Sequence, residues 1–136
     1  MGGDYWLGKG FVCSARIRVP TEASVQMAIV RRLRRSRLLF CAVPNGGKRS
    51  RATAKSLKAQ GVTAGVPDLL IFESPPSFPD KVGVALELKR RNGTWCRVSD
   101  HQRSWLSGLA DRNWISVVGY GEEDALAKLR ELGFGV

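Results

Sequence analysis

Histidine is almost missing from this chain: His101 is the only one in 136 residues. Cysteine is scarce too, and Cys13, Cys41 and Cys96 stand far apart with no Cys-x-x-Cys pair. These shortages argue against a tetrahedral zinc site and fit a reducing cytosol better than a disulfide framework. No apolar run approaches the roughly 20 residues of a membrane span, and the N-terminus lacks the pattern of a cleaved secretory signal. The expectation is a soluble cytoplasmic protein with no membrane partner. Acidic residues are also in short supply, 12 Asp and Glu against 22 Lys and Arg, for a formal charge of +10. A field of that sign and size attracts polyanions, nucleic acid first and an anionic membrane surface second.

What is there is enough for one domain with a real core, since a chain of this length buries roughly two-thirds of its unfolded surface. Two apolar runs bounded by Gly and Pro predict buried strands, Val66 to Phe72 and Gly83 to Lys89. Asp68 sits in the first, Glu87 and Lys89 in the second, and eighteen residues separate Asp68 from Glu87. Alternation along a strand puts Glu87 and Lys89 on one face and Leu86 and Leu88 on the other. Charges in such strands are costly unless paired, hydrogen-bonded or bound to a metal. Two explanations compete: a structural salt bridge at a strand end, or a site in which Asp68 and Glu87 hold a divalent cation while Lys89 positions a water or a phosphate oxygen.

The elements around these strands read as follows. Residues 1–20 are an N-terminal arm or edge strand: Met1 to Gly10 is Gly-rich and expected to be loose, and Phe11 to Cys13 or Arg16 to Val19 could extend. Residues 21–136 form the domain. Thr21 caps a first helix running to about Ser36, with Val25, Ala28, Ile29 and Leu33 as its apolar stripe. Glu22, in its first turn, is favoured there by the helix dipole alone. Leu38 to Val43 reads as a buried strand, followed by a Pro44-Asn45-Gly46-Gly47 turn and a basic helix that ends near Gly61. Ser99 and Gln102 have capping-box spacing at the start of a third helix, whose buried side would carry Trp105, Leu106 and Leu109. A last strand from Trp114 to Gly119 and a last helix from Glu122 to about Leu132 close the chain.

Basic residues cluster after the Gly-Gly turn: Lys48, Arg49, Arg51, Lys55 and Lys58. With Asn45, Gly46 and Gly47 they suit a DNA-backbone clamp, because free N–H groups and a helix dipole favour phosphate there. An ordinary basic helix face explains them equally well, and P-loop spacing is absent. After Lys89, the segment with Arg91, Trp95 and Arg97 could stack on an unpaired base, and Trp95 as packing filler is as common.

Pro67-Asp68 followed by Glu87-Leu88-Lys89 resembles the PD-(D/E)XK signature of restriction-endonuclease-like nucleases. The order Pro44 to Arg49, Leu57 to Val62, Gly65 to Leu69, Glu87 to Lys89 and Ser99 to Gln102 resembles one branch of them, the VRR-NUC domain, over roughly residues 21 to 133. The resemblance implies an α/β fold with a central mixed sheet flanked by helices. It implies a metal-dependent endonuclease using Mg²⁺ or Mn²⁺, held by Glu22, Asp68, Glu87 and the Leu88 carbonyl. Glu22, with Gln26, matches the further carboxylate that such nucleases supply from their first helix. Lys89 would orient or activate the attacking water, and Gln102 would face the site and help position the water or Lys89. One amide, however, cannot fully serve both the site and the helix cap. Stand-alone domains similar to this one look like homodimers that cut branched DNA such as four-way junctions, and versions inside larger proteins act on flaps. The alternatives from residues alone are a non-catalytic basic nucleic-acid-binding module, a flap nuclease or an RNA-directed nuclease.

Overall fold

Four strands make the central sheet, and the polar strand pair lies in its middle. The structure is a computed structural model, and it describes residues 5–7, 10–12, 19–44, 48–91 and 97–136. In chain order the elements are β1 (Tyr5–Leu7), β2 (Gly10–Val12), α1 (Glu22–Arg35), β3 (Phe40–Ala42), α2 (Arg51–Ala59), β4 (Leu69–Ile71), β5 (Gly83–Lys89), α3 (Asp100–Ala110), β6 (Trp114–Tyr120) and α4 (Glu122–Glu131). The sheet order is β3-β4-β5-β6, antiparallel between β3, β4 and β5 and parallel between β5 and β6. That is the mixed α/β architecture expected.

Thr21 caps α1 through Ser24 N–H, and the predicted stripe of Val25, Ala28, Ile29 and Leu33 is the buried one. It packs with Ala125, Leu126 and Leu129 of α4 against Val84, Leu86 and Leu88 of β5, and Leu69 and Ile71 extend the same core. Burying a side chain of this size contributes roughly 1.5–3 kcal/mol. Gly119 of β6 gives α4 its close approach, since a Cβ there would stand 2.6 Å from the Ala125 Cβ. The helix that crosses from β5 to β6, α3, supplies Gln102 to the Glu87 and Lys89 face. Every residue of β5 is consequently buried.

Several local expectations need correction. Leu38 to Val43 does not form a buried strand: only residues 40–42 are extended, and Cys41 and Ala42 are exposed because β3 has a neighbour on one side only. The first polar strand begins at Leu69, after Asp68 rather than before it. Pro67 has no N–H to give a ladder, and the Asp68 side chain turns instead to the Leu88 N–H. Near the N-terminus Phe11 and Val12 are extended, but their partner is local, the Tyr5–Leu7 segment expected to be loose, in a separate two-stranded sheet. Cys13, Arg16 and Arg18 lie outside the described residues. In α3, Trp105, Leu106 and Leu109 are half-buried, none fully. Among the described residues no helix is long and apolar enough to cross a membrane.

Candidate active site

Three segments meet at the polar cluster: the approach to β4, the end of β5 and the first turn of α3. Asp68 is anchored twice. Its carbonyl accepts from the Val43 N–H at 3.0 Å, and its Oδ2 accepts from the Leu88 N–H at 2.7 Å. Along β5 the expected alternation holds: Lys89 Nζ lies 3.1 Å from Glu87 Oε1, and the two residues are 7% and 2% exposed. Leu88, between them, sends its side chain to the core on the opposite face.

Gln102 completes the cluster. Its Nε2 donates to Glu87 Oε1 at 2.5 Å, and its Oε1 accepts from Lys89 Nζ at 2.9 Å. The same Oε1 accepts from the Ser99 N–H at 2.9 Å, while the Gln102 N–H donates to Ser99 Oγ at 3.2 Å, so the capping box is closed. The amide therefore serves the helix cap and the buried pair together, against the expectation that it could not. A carboxamide oxygen has two acceptor lone pairs, and its nitrogen is a separate donor.

The second Glu87 oxygen, Oε2, is buried and has no hydrogen-bond partner. Burial pushes the Glu87 carboxyl up from 4.5 to about 7, and the charge of Asp68 adds to the rise against the opposing hydrogen bond and attraction of Lys89. Burial raises Asp68 as well, outweighing the Leu88 N–H that favours its charged form. Two desolvated carboxyls with one ammonium, on Glu87, leave negative charge short of compensation, an arrangement that favours a bound cation. The orphaned oxygen and the hard donor set suit Mg²⁺ or Mn²⁺.

Glu22 stands further out. It is exposed in the first turn of α1, on a cleft of about 550 Å³ shared with Lys89, Arg90, Arg97, Ser99 and Gln102. From there its charge reaches inward and raises both Asp68 and Glu87. Among the described residues no group of three or more His, Cys, Asp or Glu is placed to hold a metal ion. Burial raises Asp68 and Glu87, whereas Glu22 is exposed on the rim of the cleft.

The predicted DNA contacts divide. Lys48, Arg49, Arg51 and Lys55 are exposed in and just before α2, and Arg97 lines the cleft beside Lys89. Arg91 is exposed and loosely paired with Glu123 at 3.6 Å. Asn45, Gly46, Gly47 and Trp95 lie outside the described residues. One positioning residue was quoted in the motif without a role. Gly65 adopts φ +88°, and a Cβ on it would meet the His101 backbone carbon at 2.6 Å and the Gln102 nitrogen at 2.8 Å. It lets the chain leading to Asp68 pass against the start of α3. A glycine just before Val66-Pro67-Asp68 was the available signal.

The VRR-NUC domain family model matches residues 20–123, from just before α1 to the start of α4. The chain belongs to the VRR-NUC domain family. This is a family of nuclease-type domains, and its match spans Glu22, Asp68, Glu87, Lys89 and Gln102. A solved structure of a VRR_NUC domain protein is similar to this chain with a TM-score of 0.69, covering 86% of this chain and 91% of that one at 20% identity. At that identity the likeness establishes the shared restriction-endonuclease-like fold. No curated protein matches the chain.

Proposed function

We propose that this VRR-NUC domain is a metal-dependent endonuclease that hydrolyses DNA phosphodiesters, with a preference for branched substrates such as four-way junctions. The observation that carries the reading is the buried, unpartnered Glu87 Oε2 beside Asp68. A purely structural ion pair has no reason to leave a carboxylate oxygen without a partner inside the protein.

Asp68 and Glu87 would hold Mg²⁺ or Mn²⁺, with Glu22 and the Leu88 carbonyl as further oxygen donors. Such a cation, when bound, supplies Lewis-acid stabilisation of the charge that builds on the phosphoryl oxygens. Lys89 has a defined task. Two contacts, to Glu87 Oε1 and Gln102 Oε1, hold its ammonium at the cleft, and a third N–H is available to a phosphate oxygen or to the attacking water. Gln102 fixes the Lys89 rotamer and thereby sets the direction of that N–H. The exposed basic residues before and along α2 would bind the DNA backbone, in keeping with the formal charge of +10. A symmetric homodimer would present two such sites to a two-fold junction.

The test is cleavage of labelled four-way junction, flap, duplex and single strand in Mg²⁺, Mn²⁺ or EDTA by wild type and Lys89→Ala. Metal-dependent cutting lost in Lys89→Ala, with junctions preferred, is the expected result. Tight binding without cutting in any metal would refute the catalytic reading and leave a binding module.

A further inference from the structure

A second cleft of about 670 Å³ opens between α2 and the start of α3, next to the polar cluster but separate from it. Its walls are of two kinds. Arg49 and Lys58 bring positive charge, and Leu57, Val62, Ala54 and Ala64 make an apolar floor closed by His101. Among the described residues no acidic one lines it. The floor is left open by the fold: α2 has no buried residue, Leu57 is only half-covered, and Val62 is 45% exposed. Helix α2 spends its apolar side on none of the described core, which a structural helix of this kind would ordinarily do.

From this juxtaposition we propose that the cleft is a subsite for an unpaired nucleotide at the branch of the substrate, with its phosphate on Arg49 and Lys58 and its base against Leu57 and Val62. The proposal rests on the nuclease reading above and names the feature of the substrate that it selects. The volume falls in the ordinary range of ligand pockets, roughly 300–1,000 Å³, and its mix of an apolar floor and a few charged groups is theirs too. The charge matches a phosphodiester, and an apolar floor beside two cations fits a nucleotide better than a duplex backbone, which offers phosphates without exposed bases, or an acidic peptide, which offers carboxylates without a flat apolar face. The position is the other half of the argument. His101 on the cleft wall directly precedes Gln102, and Gly65, two residues before Pro67, packs on both. A nucleotide seated here lies against the segments that carry Asp68 and Gln102, so the scissile phosphodiester would be a near neighbour of the unpaired base.

The experiment is equilibrium binding in EDTA, which keeps binding apart from cutting. Fluorescent junctions carrying one unpaired nucleotide at the branch, the same junctions with an abasic spacer there, and plain duplex are titrated with wild type, Val62→Asn and Lys58→Gln. Val62 is exposed, so its replacement leaves folding intact, checked by thermal melts. The expected result is that wild type favours the unpaired nucleotide over the abasic spacer by about tenfold, the lower end of base-stacking energies. Val62→Asn should lose that preference while binding the abasic junction as wild type does, and Lys58→Gln should weaken both. Equal affinity of wild type for the base and the abasic spacer would overturn the proposal even if metal-dependent cleavage is found. A preference that survives Val62→Asn would overturn it too. Conversely, a preference lost in Val62→Asn in a protein that cuts nothing would uphold the subsite and refute the nuclease reading.

Discussion

Replacing Glu87 with Gln should make the metal-free protein more stable at alkaline pH and remove much of the pH dependence of its stability. The reason is the raised carboxyl, about 7 in the fold against its ordinary 4.5. Between these values the folded chain holds a proton that the unfolded chain has released, so stability is lost as pH rises through this window. Integrated from pH 5 to 8, the loss from this one group is roughly 2–3 kcal/mol. For a domain of this size that corresponds to about 9 °C in Tm. Glu87→Gln keeps the shape and the Gln102 contact site but has no charge to desolvate, so its Tm should fall by about 9 °C less than that of wild type over the same interval. Asp68, also raised by burial, is unchanged in both proteins and cancels in the difference. The assay is thermal melting by circular dichroism in EDTA at pH 5, 6, 7 and 8, followed by the same series in Mg²⁺. In Mg²⁺ the wild type should recover stability at pH 8, by about 1.4 kcal/mol at ten times its Kd, and Glu87→Gln should not. Parallel pH curves in EDTA would refute the reasoning, since they would mean that Glu87 is not ionised at a cost in the fold.

Other predictions follow from the same geometry. Gly65→Ala forces a φ of +88° on alanine and drives a methyl group into the start of α3; it should cost roughly 1–3 kcal/mol in urea unfolding and lower kcat more than DNA affinity. Gln102→Ala strips an acceptor from Lys89 and a donor from Glu87; it should lower kcat by roughly tenfold to a hundredfold in a single-turnover assay, with binding in EDTA unchanged. In sedimentation, wild type should run as a dimer alone or on four-way junction DNA, and a monomer under both conditions would remove the symmetric-cut model. Junction affinity should fall steeply between 50 and 200 mM salt, and a flat response would argue against phosphate contacts from the residues of α2.

The sheet and the first helix were legible because their signals are strong and local. Alternation in Gly83 to Lys89 and the 3.6-residue stripe of Val25, Ala28, Ile29 and Leu33 each demand one burial pattern, and the fold has it. Apolar content alone misled at Leu38 to Val43, because nothing in six apolar residues says whether the strand they enter has one neighbour or two. For the site, the spacing of Asp68, Glu87 and Lys89 left a structural ion pair and a cation site both open, while the common face of Glu87 and Lys89 followed from strand geometry. The part played by Gln102 was only half legible: the capping box could be read from Ser99 and Gln102, but the contact with Glu87 and Lys89 is set by the crossover that lays α3 over β5. Glu22 shows the opposite limit. Its place in the first turn of α1 was clear, and its position on the rim of the cleft depends on how α1 packs against the sheet.

The shared oxygen of Gln102 gives the domain an internal reporter. Because Oε1 accepts from both the Ser99 N–H and Lys89 Nζ, fraying of the first turn of α3 removes one of the two contacts that hold Lys89. The Ser99 amide, at an exposed helix start where exchange is ordinarily fast, is protected while Gln102 stays seated. Its hydrogen-exchange rate therefore reports the fraction of molecules in which Gln102 is seated at the Glu87 and Lys89 pair, before any nucleic acid is added.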